Sequence, residues 1–392
     1  MHFEIDKIER NIKKNYIFTF FSNLNLTGTI WIIFLSYKGM NLTQIGLLEG
    51  IFHLTSFFME VPTGIIADFF GRKTSRIFGR FISIISNIIF INSNNFYFFT
   101  ISMIFNALSY NLESGAGQAL LYDSLINISK EEEFLKISGK IEFITQIGML
   151  FGYLLGGYFA DKSFELAYNI AIIIGIINFL YSFSFEEPKI KYNYNSKNFA
   201  NFINQNKDSF KELIKDKKLF FIVLFSELLT MFCTTVFFYL QNDLYYKGFN
   251  TTKIGLIFSI SGVISAFFSI YTQKIKNVLT EKGIFLIFPI IISISLISMG
   301  ISKIPYIFFI LISISESIIF VTYSDYINKK ISSDKRATIL SMCSMIFSIY
   351  MIIIFPLFGK IGDIYGLQKS FLSLGLILLI PIFINIIINI KK

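Results

Sequence analysis

Apolar residues run almost unbroken for about twenty positions at a time along this chain, and charged residues gather in short clusters between the runs. A helix needs about twenty apolar residues to cross the ~30 Å hydrocarbon core of a bilayer. Backbone polar groups cannot stay unpaired in lipid, so a crossing segment is a helix or part of a closed barrel. The alternating apolar–polar pattern of a barrel strand is absent, so each run predicts a helix. Twelve spans follow, over 16–37, 44–68, 76–93, 96–125, 138–160, 166–185, 219–241, 254–272, 283–301, 305–327, 337–360 and 368–390. The longest polar stretch, 186–218, falls between the sixth and the seventh. The expected organisation is a six-helix half over 1–187, a flexible cytoplasmic tether over 188–217 and a second six-helix half over 218–392.

The halves repeat. Tyr37-Lys38-Gly39-Met40-Asn41-Leu42-Thr43-Gln44-Ile45-Gly46-Leu47 matches Tyr246-Lys247-Gly248-Phe249-Asn250-Thr251-Thr252-Lys253-Ile254-Gly255-Leu256 at an offset of 209. Phe21 to Leu24 matches Phe225 to Leu228 at 204, Glu113-Ser114 matches Glu316-Ser317 at 203, and Gly157 to Asp161 matches Gly359 to Asp363 at 202. Shared low complexity explains this less well than duplication, because polar positions match in order at a nearly constant offset. Six spans per half is an even number, so the repeats run parallel about an axis along the membrane normal.

Composition sharpens this picture. Hydrophobic residues are 54% of the chain and charged ones 16%, against about 25% charged in a soluble domain. The net charge of +9 need not mean nucleic acid. With the N-terminus in the cytoplasm, 28 of the 35 Lys and Arg fall in cytoplasmic segments and seven outside, so the positive-inside rule places both termini in the cytoplasm. No cleavable signal pattern precedes the first span. Cys233 and Cys343 both lie in apolar runs, where packing is the expected role. There is no Walker loop, no Ser-His-Asp set and, with only His2 and His53, no His/Cys metal cluster. An enzyme, a metal site and a cofactor are therefore not expected.

Between spans two and three stands Gly64-Ile65-Ile66-Ala67-Asp68-Phe69-Phe70-Gly71-Arg72-Lys73. It resembles the loop signature of the major facilitator superfamily, G-x-L-x-D-R-x-G-R-K. Gly64, Asp68, Gly71, Arg72 and Lys73 match, and Phe69 departs. The resemblance implies a conformational latch. Gly64 would permit close helix approach. Asp68 would accept from the start of span eleven, just after Arg336. A positive-inside turn is the plainer alternative. Gly148, Gly152, Gly156 and Gly157 in span five are similar to the superfamily's antiporter motif G-x-x-x-G-P-x-x-G-G, with Tyr153 at the proline. The first three glycines form one smooth strip for helix packing. In span four, Asn111 stands where a third family motif has arginine, with Glu113 beside it. Glu60-Val61-Pro62-Thr63-Gly64 through Asp68 resembles a bacterial subgroup of drug or macrolide efflux permeases.

Ionisable groups at mid-bilayer cost about 2.5–3.5 kcal/mol or more, which makes them functional candidates. They are Glu49, His53, Glu60, Glu113, Glu227 and Glu316, with no Lys or Arg expected at comparable depth. Glu49, His53 and Glu60 share one helix face at spacings of four and seven. They could relay protons, since His titrates near neutrality. Packing and loop bracing are the alternatives. Glu113 and Glu316 are equivalent in the repeat, and family resemblance puts their helices around the central cavity. An acidic interior without a basic partner favours protons or cations over organic anions. Asp123 and Asp325, each ending a span beside tyrosines, are candidate gate residues; Asp161 and Asp363 are expected as structural helix ends.

The expected fold is an all-α membrane protein of twelve helices in two pseudo-symmetric bundles. The expected activity is proton-coupled export of a lipophilic or cationic small molecule across a bacterial plasma membrane, by a monomer. A nutrient importer or uniporter of the same fold, and a non-transporting membrane sensor or lipid-handling protein, are the alternatives.

Overall fold

The computed structural model describes residues 2–188, 213–331 and 336–390. In chain order the helices are α1 (His2–Asn23), α2 (Trp31–Tyr37), α3 (Leu42–Phe70), α4 (Arg72–Asn92), α5 (Phe96–Asn127), α6 (Phe134–Lys162) and α7 (Phe164–Ser182). After the linker come α8 (Lys217–Tyr246), α9 (Thr251–Ile270), α10 (Thr272–Ile301), α11 (Pro305–Lys330), α12 (Arg336–Tyr365) and α13 (Leu367–Ile390). Ten of these helical segments are long and apolar enough to cross a membrane. The other two crossings are α5, whose Asn106, Asn111 and Glu113 lower its hydropathy, and the α1–α2 pair. The fold is thus twelve membrane helices in two six-helix bundles. Of the expected tether, 189–212 lies outside the described residues.

The first span is not the single helix its hydropathy predicts. After Asn23 the Asn25 N–H turns back to Asn23 O (2.7 Å) and the Leu26 N–H to Leu24 O (2.9 Å), and helix resumes only at Trp31. The cause lies on α6. A methyl on Gly152 or Gly156 would overlap the backbone of Asn25 or Leu26, and one on Gly148 would stand 3.0 Å from Phe20 O. The glycine strip is a seat for irregular backbone, which membrane proteins tolerate where protein encloses it.

The residues cluster into two compact units. The first takes in Met1–Met40, Leu48–Tyr192 and Tyr245–Ser259, and the second Asn41–Leu47, Asn193–Leu244 and Ile260–Lys392. Each unit therefore holds the start of a helix that continues in the other. In the first unit, Phe18, Leu120 and Phe185 pack together, as do Leu121, Leu125 and Ile137. In the second, Tyr239, Phe355, Phe358 and Phe371 stack in succession. Phe58, Phe151, Ile173 and Ile294 are exposed.

Candidate functional site

In the first unit the expected acidic interior is corrected. Arg76, one turn into α4, is buried to 2% exposure. Its Nε lies 3.1 Å from Glu113 Oε1, and its Nη1 donates to Asn15 Oδ1 at 2.9 Å. Its guanidinium carbon sits 4.2 Å from the Phe18 ring centre and 4.7 Å from that of Phe185. Arg76 belongs by sequence to the loop cluster, but its long side chain carries the charge inward. Gly117 makes the pair possible: a methyl there would lie 2.9 Å from both Arg76 Nη2 and Glu113 Oε1. Asn111, at the family's arginine position, binds α3 instead, accepting from Ser56 Oγ (2.7 Å) and donating to Ser56 O (2.7 Å).

On α3, Glu49 and His53 are both buried, with His53 Nε2 3.5 Å from Glu49 Oε1. The expected stripe is thus joined at its upper end. Glu60 is two turns further, about 10 Å along the axis at the usual helical rise.

The loop signature forms a charged knot. Asp68 Oδ1 is 2.6 Å from Arg72 Nη2, and Arg72 Nε is 3.8 Å from Asp123 Oδ2. The anion on a helix start here is Glu187. Its carboxylate accepts from the Arg72 N–H (2.6 Å) and the Lys73 N–H (2.8 Å), capping α4 where the helix dipole favours negative charge. Gly71 permits this twice over. Its φ is +95°, which favours glycine, and a methyl there would lie 2.7 Å from the Glu187 carboxyl carbon. Asn11 fixes the neighbouring residue, donating to Glu186 O (2.8 Å) and accepting from its N–H (3.0 Å). A methyl on Gly64 meets no heavy atom within 4 Å among the described residues. The approach to span eleven, 332–335, and the Arg336 side chain lie outside the described residues.

The second unit repeats the knot with lysines in place of arginine. Lys276 Nζ is 2.7 Å from Asp325 Oδ2 and 2.6 Å from Glu281 Oε1, and Lys329 Nζ is 2.7 Å from Asp325. Asp325 thus stands to Lys276 as Asp123 stands to Arg72. The interior differs. On α8, Glu227 Oε1 accepts from the Tyr323 hydroxyl at 3.0 Å. That hydroxyl stands 3.2 Å from Cys343 Sγ, which gives this cysteine a polar neighbour that a packing role does not foresee. Glu316 makes no hydrogen bond or ion pair among the described residues.

Residues 15–353 match the family model of the Major Facilitator Superfamily. The chain belongs to that superfamily. The Bacillus subtilis (strain 168) protein described as an uncharacterized MFS-type transporter, YxaM, is 25% identical over 379 residues, 93% of this chain and 92% of its own. The quinolone resistance protein NorA of Staphylococcus aureus (strain Mu50) is 25% identical over 166 residues, 42% of each chain. Among solved structures, the nucleoside transporter NupG aligns over 96% of this chain and 98% of its own with a TM-score of 0.75 at 15% identity. A D-xylose–proton symporter aligns over 98% and 97% with a TM-score of 0.69 at 13% identity. At those identities the likeness is one of fold.

As a superfamily transporter the chain has two interior carboxylate environments, and the reading of its residues alone found only the carboxylates. It missed Arg76, Glu187 and the Tyr323–Glu227–Cys343 contact. Asn23, Asn25, Thr27 and Gly28, polar or flexible inside an apolar run, were the available signal for the broken span.

Proposed function

We propose that this transporter exports a lipophilic or cationic small molecule in exchange for protons, by alternating access. The carrying observation is the second unit's pair of interior carboxyls. Glu227 is bonded to a neutral hydroxyl, and Glu316 lacks an ion-pair partner among the described residues. An ionised group at that depth is costly without a counter-charge, so these carboxyls are suited to gain and lose protons through the cycle. Glu113 is held by Arg76. His53 with Glu49 is a further candidate exchange site in this reading; Glu60 continues that stripe. Asp68, Arg72 and Asp123, with Lys73 nearby, form the latch in this reading, and Asp123 and Asp325 serve as gates on the same side.

Similarity to the quinolone resistance protein and the glycine strip of α6 support export. The distribution of 28 Lys and Arg against seven supports a bacterial plasma-membrane protein with cytoplasmic termini. The working form is a monomer in this reading, with 1–187 and 218–392 as its halves.

The test is proton movement in proteoliposomes carrying a pH-sensitive dye, on addition of ethidium or tetraphenylphosphonium. Wild type should move protons; Glu227→Gln and Glu316→Gln should not, while remaining inserted. Unchanged, equally pH-dependent flux in both variants would discard the assignment. Flux lost in Glu113→Gln alone would return the coupling role to the first unit.

A further inference from the structure

The duplicated segments Tyr37–Leu47 and Tyr246–Leu256 are the longest repeat in the chain, and neither proton exchange nor the loop knot uses them. Their geometry is duplicated too. Gly39 and Gly248 turn the chain at φ +85° and +86°. Asn41 Oδ1 then accepts from the Gln44 N–H at 2.8 Å, and Asn250 Oδ1 from the Lys253 N–H at 3.1 Å, which caps α3 and α9 at their first turns. Each start then meets an aspartate from the other repeated motif. In the second unit, Asp363 accepts from the Leu42 N–H (2.9 Å), the Thr43 N–H (2.8 Å) and the Thr43 hydroxyl (2.5 Å). In the first, Asp161 accepts from Asn250 Nδ2 (2.9 Å) and the Thr252 hydroxyl (3.1 Å).

Below the aspartates the contact is backbone on backbone. A methyl on Gly157 would overlap Thr251 O, and one on Gly359 would overlap Leu42 O. The Thr251 hydroxyl donates to Gly157 O at 2.8 Å. Tyr239 donates from between Leu42 O and Phe355 O, 3.1 Å from each.

We propose that Asp363 with the start of α3, and Asp161 with the start of α9, are two releasable clasps that must open when the transporter exposes its site to the side of these loops. The proposal rests on alternating access. Both aspartates are exposed, so water replaces their bonds when they part. Solvated charge-assisted bonds of this kind are together enough to bias a conformational equilibrium and singly weak enough to release. The first clasp has three bonds and Tyr239 behind it; the second has two to its carboxylate. The first should be the harder to open.

The test uses protein in nanodiscs with Cys233 and Cys343 replaced by alanine and a reporter Ser259→Cys. Ser259 is 2% exposed and its hydroxyl donates to Leu150 O at 3.1 Å. A charged maleimide measures exposure of the reporter, and hydrogen–deuterium exchange follows peptides 38–48 and 247–258. Asp363→Asn should speed exchange in the first peptide and Asp161→Asn in the second. The double variant should label at 259 about tenfold faster than its parent, the effect of about 1.4 kcal/mol. Parental labelling in the double variant would overturn the proposal. Should that variant fail to insert, Thr43→Val with Thr252→Val removes only the hydroxyl bonds. A smaller rise in labelling then supports the clasps, and none overturns them. Neither readout needs a substrate or a proton gradient, so failure of the exchange mechanism would not be mistaken for failure of the clasps.

Discussion

The two units started from one repeat and treat buried charge in opposite ways. In the first, the interior carboxylates stand beside basic groups: Glu113 beside Arg76 and Glu49 beside His53. In the second, Glu227 meets a tyrosine hydroxyl, and no ion pair holds Glu316 among the described residues. The offset that maps Arg72 onto Lys276 maps Arg76 onto Thr280, which has a φ of +61° where α10 kinks. One substitution at a duplicated position therefore separates a carboxylate held in an ion pair from one with no ion pair among the described residues. A second, Asn23 in one copy and Glu227 in the other, adds an acid where the first unit has an amide.

The largest break in this comparison is Arg76→Met. It leaves the partly buried Glu113 beside no cation, a loss bounded above by the about 3–5 kcal/mol of a fully buried pair, and thermal unfolding in detergent should show a large fall in stability. Arg76→Met with Glu113→Gln should recover most of the loss; no recovery would mean that Arg76 acts through Asn15 and the Phe18 ring instead.

Next is Gly156→Ala, where the methyl overlaps Leu26. Overpacking of this kind costs about 1–3 kcal/mol. Gly64→Ala, with open space around it, should leave the melting temperature alone. Equal melting of the two variants would refute the glycine seat beneath the broken span.

Losing the cap in Glu187→Ala should cost about 0.5–2 kcal/mol. Faster hydrogen exchange at the start of α4, with α10 unchanged, is the expected signature.

The smallest effect should be Tyr323→Phe. It removes one hydrogen bond, worth about 0.5–1.5 kcal/mol, while the ring still fills its place. Transport should persist with a displaced pH midpoint. Tyr168→Phe, which removes a buried hydroxyl with no hydrogen-bond partner among the described residues, is the control and should leave the midpoint where it is. Identical pH profiles for both would remove Tyr323 from the proton path.

Much of the architecture was legible before any coordinates. Apolar runs predicted the crossings, including the α5 crossing that hydropathy alone marks weakly. The repeat predicted two six-helix halves. The glycines of α6 were readable as a packing strip, although their partner, the irregular backbone at Asn25 and Leu26, was not. Arg76 lies by sequence beside the loop cations Arg72 and Lys73, and its long side chain reaches past that level into the interior. Glu187 was invisible because capping depends on where the chain returns after α7, far from Gly71 in sequence. The exchange of helix starts between units was equally hidden, since Leu42 and Asp363 are 321 residues apart.

The sequence by itself determined the solvent of each segment, the number of crossings, the duplication and the family, because hydrophobic length and repeated motifs are local properties of the chain. The tertiary structure alone decided which charges pair, where the first span breaks and which aspartate holds which helix. Those outcomes depend on close approach between distant segments: a guanidinium set over a glycine, a backbone carbonyl where a methyl would be, and a carboxylate at a helix start it does not belong to.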